Sequence, residues 1–282
     1  MLRTVKGGVP VAVGGIGGSG TRLIADCLMR LGFFLGTDLN RAIDNLWFTL
    51  IFKRAEILDC PDAEFQTCVE LFAARMQGSA DLPAADREWL ARLAQVDRPQ
   101  HDSRWLGERV ATFCSPSKAP DVAVRWGWKE PNTHLIVDRL LRSIPSLKYI
   151  HVVRNGLDMA CGQNQNQLRL WGPRILGLAT VEIEPRHALR YWCRVHERVL
   201  GIADRFPDRC LLLNFDELCA DPHQGLLRVL RFIDAPPGLE RLDELVALVK
   251  PPSSIGRFRR FGTAQFEVED VRRVAALGFP IE

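Results

Sequence analysis

The chain has 282 residues, with 37 Lys plus Arg against 34 Asp plus Glu, 47% hydrophobic and 8% aromatic residues. That apolar content at that length supports a substantial core and excludes a disordered chain. A formal net charge of +3 is too thin for a nucleic-acid or membrane surface spread over the whole molecule, so any anion site has to be local.

Eight cysteines, at 27, 60, 68, 114, 161, 193, 210 and 219, include no CxxC pair and no Cys/His cluster of metal-ligand spacing. They are expected to be reduced thiols that fill the core, with no bound metal. The stretch Met1–Pro10 lacks the basic, apolar and small-residue order of a secretory leader. No apolar run approaches the roughly 20 residues that span a bilayer. The expectation is a soluble, cytoplasmic protein.

Along the chain, Val9–Val13 is a short β-branched apolar run bounded by glycines, which suits a buried strand. Gly14, Gly15, Gly17, Gly18 and Gly20 then form a loop. After them Leu23, Ile24, Cys27, Leu28 and Leu31 fall at helical spacing, and Gly32 is placed to end that helix. From Asn40 to about Ala111 the pattern is helical, a helical insertion whose aromatic stripes (LWFTLIFKRAEIL, EWLARLAQV) read as core packing. Residues 97–120, with Pro99, Pro116 and Pro120, read as loop returning to the sheet.

VAVRWGWKEP, Val122–Pro131, predicts a second strand ending in Lys129 and Glu130, with a helix over Thr133–Ser143. Tyr149–Val153 is a third strand run with Arg154 at its end. A helix over 185–206, the strand run CLLLNFDEL and a helix over Pro222–Phe232 follow. Strands alternating with helices predict an α/β, P-loop-like three-layer fold with a mainly parallel central sheet, built as one domain over 1–282. Ligands of such sheets bind beyond the carboxyl ends of the strands.

A glycine-rich turn between strand and helix brings backbone N–H groups together at the positive end of the helix dipole, which is a phosphate cradle. The spacing Gly15 to Gly20 fits the nucleotide-triphosphatase loop GxxxxGK, but Thr21 stands at the lysine position. Gly15, Gly17 and Gly20 also fit GxGxxG, yet no acidic residue at a strand end about 20 positions on serves a ribose; Asp38 lies outside any convincing strand. A merely structural turn is the alternative.

The phrase GGSGTR, Gly17–Arg22, resembles the loop that opens the sulfotransferase fold. WGWKEPNTH at Trp126–His134, YIHVVRNGLDMA at Tyr149–Ala160, NFDEL with ADP at Asn214–Pro222, and PSSIGRFRR at Pro252–Arg260 are similar to later segments of the same family, in family order. The sequence therefore resembles a sulfotransferase dependent on 3′-phosphoadenosine 5′-phosphosulfate (PAPS), of bacterial or Golgi type.

The resemblance implies that Gly17, Gly18, Ser19, Gly20, Thr21 and Arg22 hold the 5′-phosphosulfate, with Gly18 where many members have Lys or Arg. Lys129 is implied as the cation beside the transferring sulfuryl group, shared with Arg22. The residues alone equally allow Lys129 a strand-end ion pair with Glu130. Arg154 is implied as the 3′-phosphate ligand, a role suited to a planar, bidentate donor. The usual serine eight positions later is here Gly162, so Arg257 and Arg259 are candidates to compensate, with Ser253 or Ser254 reaching the bridging oxygen. The acceptor's base is placed at Asp38 first and Asp44 second.

The implied reaction moves a sulfuryl group to a hydroxyl or amine of a small-molecule, lipid, carbohydrate or peptide acceptor, without metal. A P-loop small-molecule kinase and a catalytically inactive nucleotide-binding module are the alternatives. The stretch Gln163–Ile183 and the helical insertion are expected to shape the acceptor pocket.

Overall fold

The computed structural model describes residues 8–79, 82–115, 125–235 and 238–282. Strands β1 (Val11–Gly15), β2 (Gly127–Lys129), β3 (Lys148–Val153) and β4 (Cys210–Asn214) form one mainly parallel sheet in the order β2-β1-β3-β4. β1 and β2 run parallel, with Val11 opposite Gly127, Ala12 opposite Trp128 and Val13 opposite Lys129. All of β1 is buried, as is β3 beyond Lys148, the pattern of apolar strands in a parallel sheet. By internal contacts the chain divides into two compact units, 1–13 with 24–149 and 14–23 with 150–282.

Helix α1 (Thr21–Arg30) enters the first unit at Ile24. It ends as the spacing predicts: Gly32 takes φ +84°, and the Phe33 N–H reaches the Leu28 carbonyl at 3.0 Å. Helices α2 (Leu46–Phe52), α3 (Asp62–Met76), α4 (Ala84–Ala94) and α5 (Ser103–Cys114) occupy most of the stretch expected to be helical. Asn45 caps α2 by accepting the Phe48 N–H at 2.8 Å, and all seven residues of that helix are buried. The Trp128 ring of β2 lies 5.9 Å from Phe48 and 5.4 Å from Phe72, so the insertion's aromatics seat the strand that carries Lys129.

Helix α5 corrects the reading of 97–120 as loop. The Asp102 carboxylate accepts the Trp105 N–H at 2.7 Å, and Leu106 and Phe113 are fully buried, so cap and burial override the flanking prolines. Pro116 and Pro120 lie outside the described residues, as do Val122–Val124 of the expected second strand. The helix expected over Thr133–Ser143 is a 3-10 turn, Pro131–Leu135, followed by α6 (Val137–Ser143), with the break at Ile136.

The second unit adds α7 (Gly156–Ala160), α8 (Asn166–Leu176), α9 (Pro185–Arg205), α10 (Phe215–Ala220), α11 (Pro222–Phe232), α12 (Leu239–Val246) and α13 (Val268–Ala276). α9 and α11 fall where the periodicity puts them. Asn155, Asn214 and Asp221 cap α7, α10 and α11 through their side chains. No helix of the described residues is long and apolar enough to cross a membrane. All eight cysteines are free, and burial pushes the thiols of Cys27, Cys193 and Cys210 up to about 12, far from the thiolate form.

Candidate active site

The glycine loop of the second unit is shaped by its neighbours in that unit. Gly20 has φ +100°, and a Cβ there would stand 2.3 Å from the Phe215 ring, so the start of α1 admits only glycine at this point. Gly18, at φ +97°, faces open space. The Ser19 N–H closes a turn on the Ile16 carbonyl at 3.0 Å, while its hydroxyl is buried, 1% exposed for the residue, and has no partner among the described residues. A buried hydroxyl without a partner is costly, and at the mouth of a helix N-terminus it marks a place for an acceptor oxygen. Thr21 is buried and Arg22 is exposed on the first turn of α1.

Gly17 is engaged differently from the expectation. Its N–H donates to Gln167 Oε1 at 3.1 Å, and Gln167 Nε2 stands 3.4 Å from the Gly15 carbonyl. Gln167, on α8 and 6% exposed, thus braces the loop. Gly17 lines the site, but its amide is spent on that brace.

Arg154 leaves the end of β3 and is held on several sides. Its Nη2 donates to Ser254 Oγ at 2.8 Å, its Nε stands 3.8 Å from Asp216 Oδ1, and its carbonyl accepts from Trp192 Nε1 at 3.1 Å. Burial raises the Asp216 carboxyl, and the Asn155 N–H and Arg154 pull it back down. Gly17, Gly18, Arg154, Gly162, Arg257 and Arg260 surround a pocket of about 480 Å³, which Asn164 and Phe261 help to line. Neither Arg257 nor Arg260 forms an ion pair among the described residues. Three guanidinium groups and two glycines of the loop around one concavity make an anion site, with the orphaned Ser19 hydroxyl next to Gly18 in the same loop and the Asp158 carboxylate, spent on main-chain amides, also in the lining. Arg259 is not part of it: Nε donates to the Glu282 carbonyl at 2.9 Å, and the guanidinium lies over the Phe258 ring.

Lys129, Asp38 and Asp44 belong to the first unit. Lys129 is 2% exposed, and its ammonium donates to the Ala42 carbonyl at 3.0 Å and pairs with the Asp44 carboxylate. The strand-end ion pair with Glu130 is not what forms. Glu130 instead accepts Asn132 Nδ2 at 2.9 Å and the Asn132 N–H, and burial raises its carboxyl. Asp38 is engaged by Arg109 Nε at 3.0 Å and by the Thr112 hydroxyl. Asp44 therefore contacts the predicted catalytic lysine, and Asp38 does not.

The sulfotransferase family profile matches residues 10–238. The chain belongs to the sulfotransferase family. Among solved structures it is similar to the sulfotransferase domain of the Synechococcus PCC 7002 olefin synthase, with 16% identity, 98% of this chain and 97% of that chain covered, and a TM-score of 0.50. It is also similar to the sulfotransferase domain of the curacin biosynthetic pathway (15% identity, 98% and 99% covered, TM-score 0.45) and to sulfotransferase STF9 of Mycobacterium avium (16%, 84% and 67%, 0.43). No curated protein matches the chain in sequence. The first of these likenesses supports the P-loop-like α/β fold, and the family supports sulfotransferase activity in general terms.

Two residues of this sulfotransferase site escaped the sequence reading. Gln167 is one; the signal was a glutamine on the core-facing stripe of α8, beside Leu168 and Trp171. Arg260 is the other; it lies in the segment Pro252–Arg260, from which the sequence reading draws Arg257 and Arg259 as candidates. Among the described residues Glu182, Glu184 and His187 bring three donor atoms within 4.8 Å on the surface, but both carboxylates pair with Arg186 and the group carries no assignment.

Proposed function

We propose that the protein transfers the sulfuryl group of PAPS to an acceptor hydroxyl or amine. The observation that carries this reading is the second unit's pocket, with Gly18 open to it and Arg154, Arg257 and Arg260 around one cavity, beside a loop whose buried Ser19 hydroxyl has no partner among the described residues. Those residues fit a ligand with phosphates at two ends. PAPS, when bound, supplies an activated sulfuryl group on its 5′-phosphate.

The free amides of Gly18, Gly20, Thr21 and Arg22, with the hydroxyls of Ser19 and Thr21, hold the 5′ end, where the helix dipole favours negative charge. Arg154 and Arg257 hold the 3′-phosphate, and Ser254, bonded to Arg154, fixes the planar donor. Lys129 takes the charge that develops during transfer, a role resting on the family resemblance of Trp126–His134. The base moves from Asp38 to Asp44. Asp38 is tied to Arg109 and Thr112, whereas Asp44 touches the lysine and is 20% exposed. It accepts the proton of the acceptor hydroxyl. The acceptor, whether small molecule, lipid, carbohydrate or peptide, meets the stretch Gln163–Ile183, of which Gln163 and Asn164 line the pocket.

Titration calorimetry tests the donor. Adenosine 3′,5′-bisphosphate is expected to bind at least tenfold more tightly than ATP with magnesium; tight binding of ATP with magnesium alone overturns the reading in favour of a kinase.

A further inference from the structure

Arg257 lies in a short loop that begins at the left-handed Gly256 (φ 76°) and continues into the 3-10 turn Arg257–Arg260. A loop of this kind needs an anchor if its guanidinium is to stand in one place. The anchor is Asp158 of α7, 2% exposed. Its Oδ2 accepts the Gly256 N–H at 2.7 Å, and its Oδ1 accepts the Phe258 N–H at 3.0 Å. One buried carboxylate thus holds the two amides that bracket Arg257. Charge-assisted bonds of this length are among the strong ones, and both oxygens are spent on main chain rather than on a guanidinium.

Four residues on, Gly162 meets the other end of the same side chain. A Cβ at Gly162 would stand 2.9 Å from Arg257 Nη1 and 3.1 Å from the Met159 carbonyl. Gly162 is not among the residues with positive φ, so a side chain there would be resisted by space alone, and chiefly by the end of Arg257, which would have to move aside. The guanidinium occupies the volume that any side chain at 162 would fill.

We infer that Asp158 and Gly162 are positioning residues for Arg257: the first fixes the backbone on either side of it, and the second leaves room for its head over the pocket. Asp158 lies in α7 and Gly162 just past its end, so a single segment meets both ends of the arginine. The inference rests on the PAPS reading for the identity of the ligand, but not for the geometry.

Two measurements on the full chain test it. In amide hydrogen exchange, Gly256 and Phe258 are expected to be protected in the unmodified protein and to exchange at least tenfold faster in Asp158→Asn, while Gly162→Ala leaves them protected. Unchanged protection in Asp158→Asn overturns the anchor. In calorimetry with adenosine 3′,5′-bisphosphate, Gly162→Ala and Arg257→Ala are each expected to weaken binding about tenfold or more. The double variant should then bind no more weakly than Arg257→Ala alone. Unaltered binding by Gly162→Ala, or losses that multiply in the double variant, overturn the spacing role. Should Asp158→Asn not fold, the Gly162 and Arg257 cycle decides. Should the unmodified protein bind no bisphosphate, the donor reading fails while the exchange comparison still decides the anchor.

Discussion

Arg154 and Lys129 are both buried cations, yet their surroundings give them different tasks. Arg154 has its guanidinium against Ser254 and Asp216 at the wall of an open pocket, where a planar fork matches a phosphate. Lys129 is enclosed by the Ala42 carbonyl and Asp44, the setting of a point charge paired with a base. Arg154→Ala is therefore expected to weaken adenosine 3′,5′-bisphosphate binding by tenfold or more. Lys129→Ala should lower kcat by about 100-fold, the scale of one preorganised charge, with bisphosphate binding little changed. Paired calorimetry and rate measurements check the ordering, and the reverse ordering contradicts it. The glycine loop and Arg154 were legible in the sequence because each is a local phrase at a strand end. Gln167 was not, because its bonds to Gly15 and Gly17 join positions about 150 residues apart. Arg259 and Arg260 could not be separated by composition, since the handed turn that follows Gly256 decides which of the two meets the pocket.

At the scale of elements, β2 is only three residues long, and its place depends on the aromatic cluster of the insertion. Trp128 is fully buried, lies against Phe48 and Phe72, and donates its Nε1–H to Thr133 Oγ1 at 3.2 Å. Trp128→Ala is expected to destabilise the protein by about 3–5 kcal/mol, the cost of a large core cavity, read from denaturant midpoints. An effect below about 1 kcal/mol would contradict the view that the helical insertion seats the strand of Lys129. The alternation of strand and helix was readable because apolar runs and caps are local. α5 was not, because the prolines around it gave a loop signal stronger than the single cap at Asp102. What converts those residues to helix is burial of Leu106 and Phe113, which depends on residues distant in sequence.

At the scale of the molecule, the buried His196 contributes a pH dependence. His196 Nδ1 lies 2.7 Å from the Trp192 carbonyl and so carries the proton, which leaves Nε2 bare, buried and without a partner among the described residues. Burial lowers its pKa to about 4, against an ordinary value near 6.5. Between those two values the unfolded chain binds a proton that the folded chain refuses, so this contribution to stability is full above about pH 6.5 and is lost as pH falls toward 4. The loss amounts to about 3 kcal/mol, and His196→Asn should reduce the difference between denaturant midpoints at pH 7 and pH 4.5, with His101, also lowered to about 4 by burial, leaving a remainder. A variant whose midpoints fall as steeply as those of the unmodified protein contradicts the assignment.

The near balance of 37 basic and 34 acidic residues conceals a local concentration of charge. Arg154, Arg257 and Arg260 come from two separated stretches of the second unit onto one pocket, and only the fold brings them there. Transfer of labelled sulfuryl from PAPS to a panel of hydroxyl and amine acceptors tests the central claim most directly. The account predicts labelled product that depends on PAPS and, at limiting PAPS, falls by tenfold or more in Arg154→Ala. Binding of adenosine 3′,5′-bisphosphate with no labelled product from any acceptor class would contradict it and leave a nucleotide-binding module without catalysis.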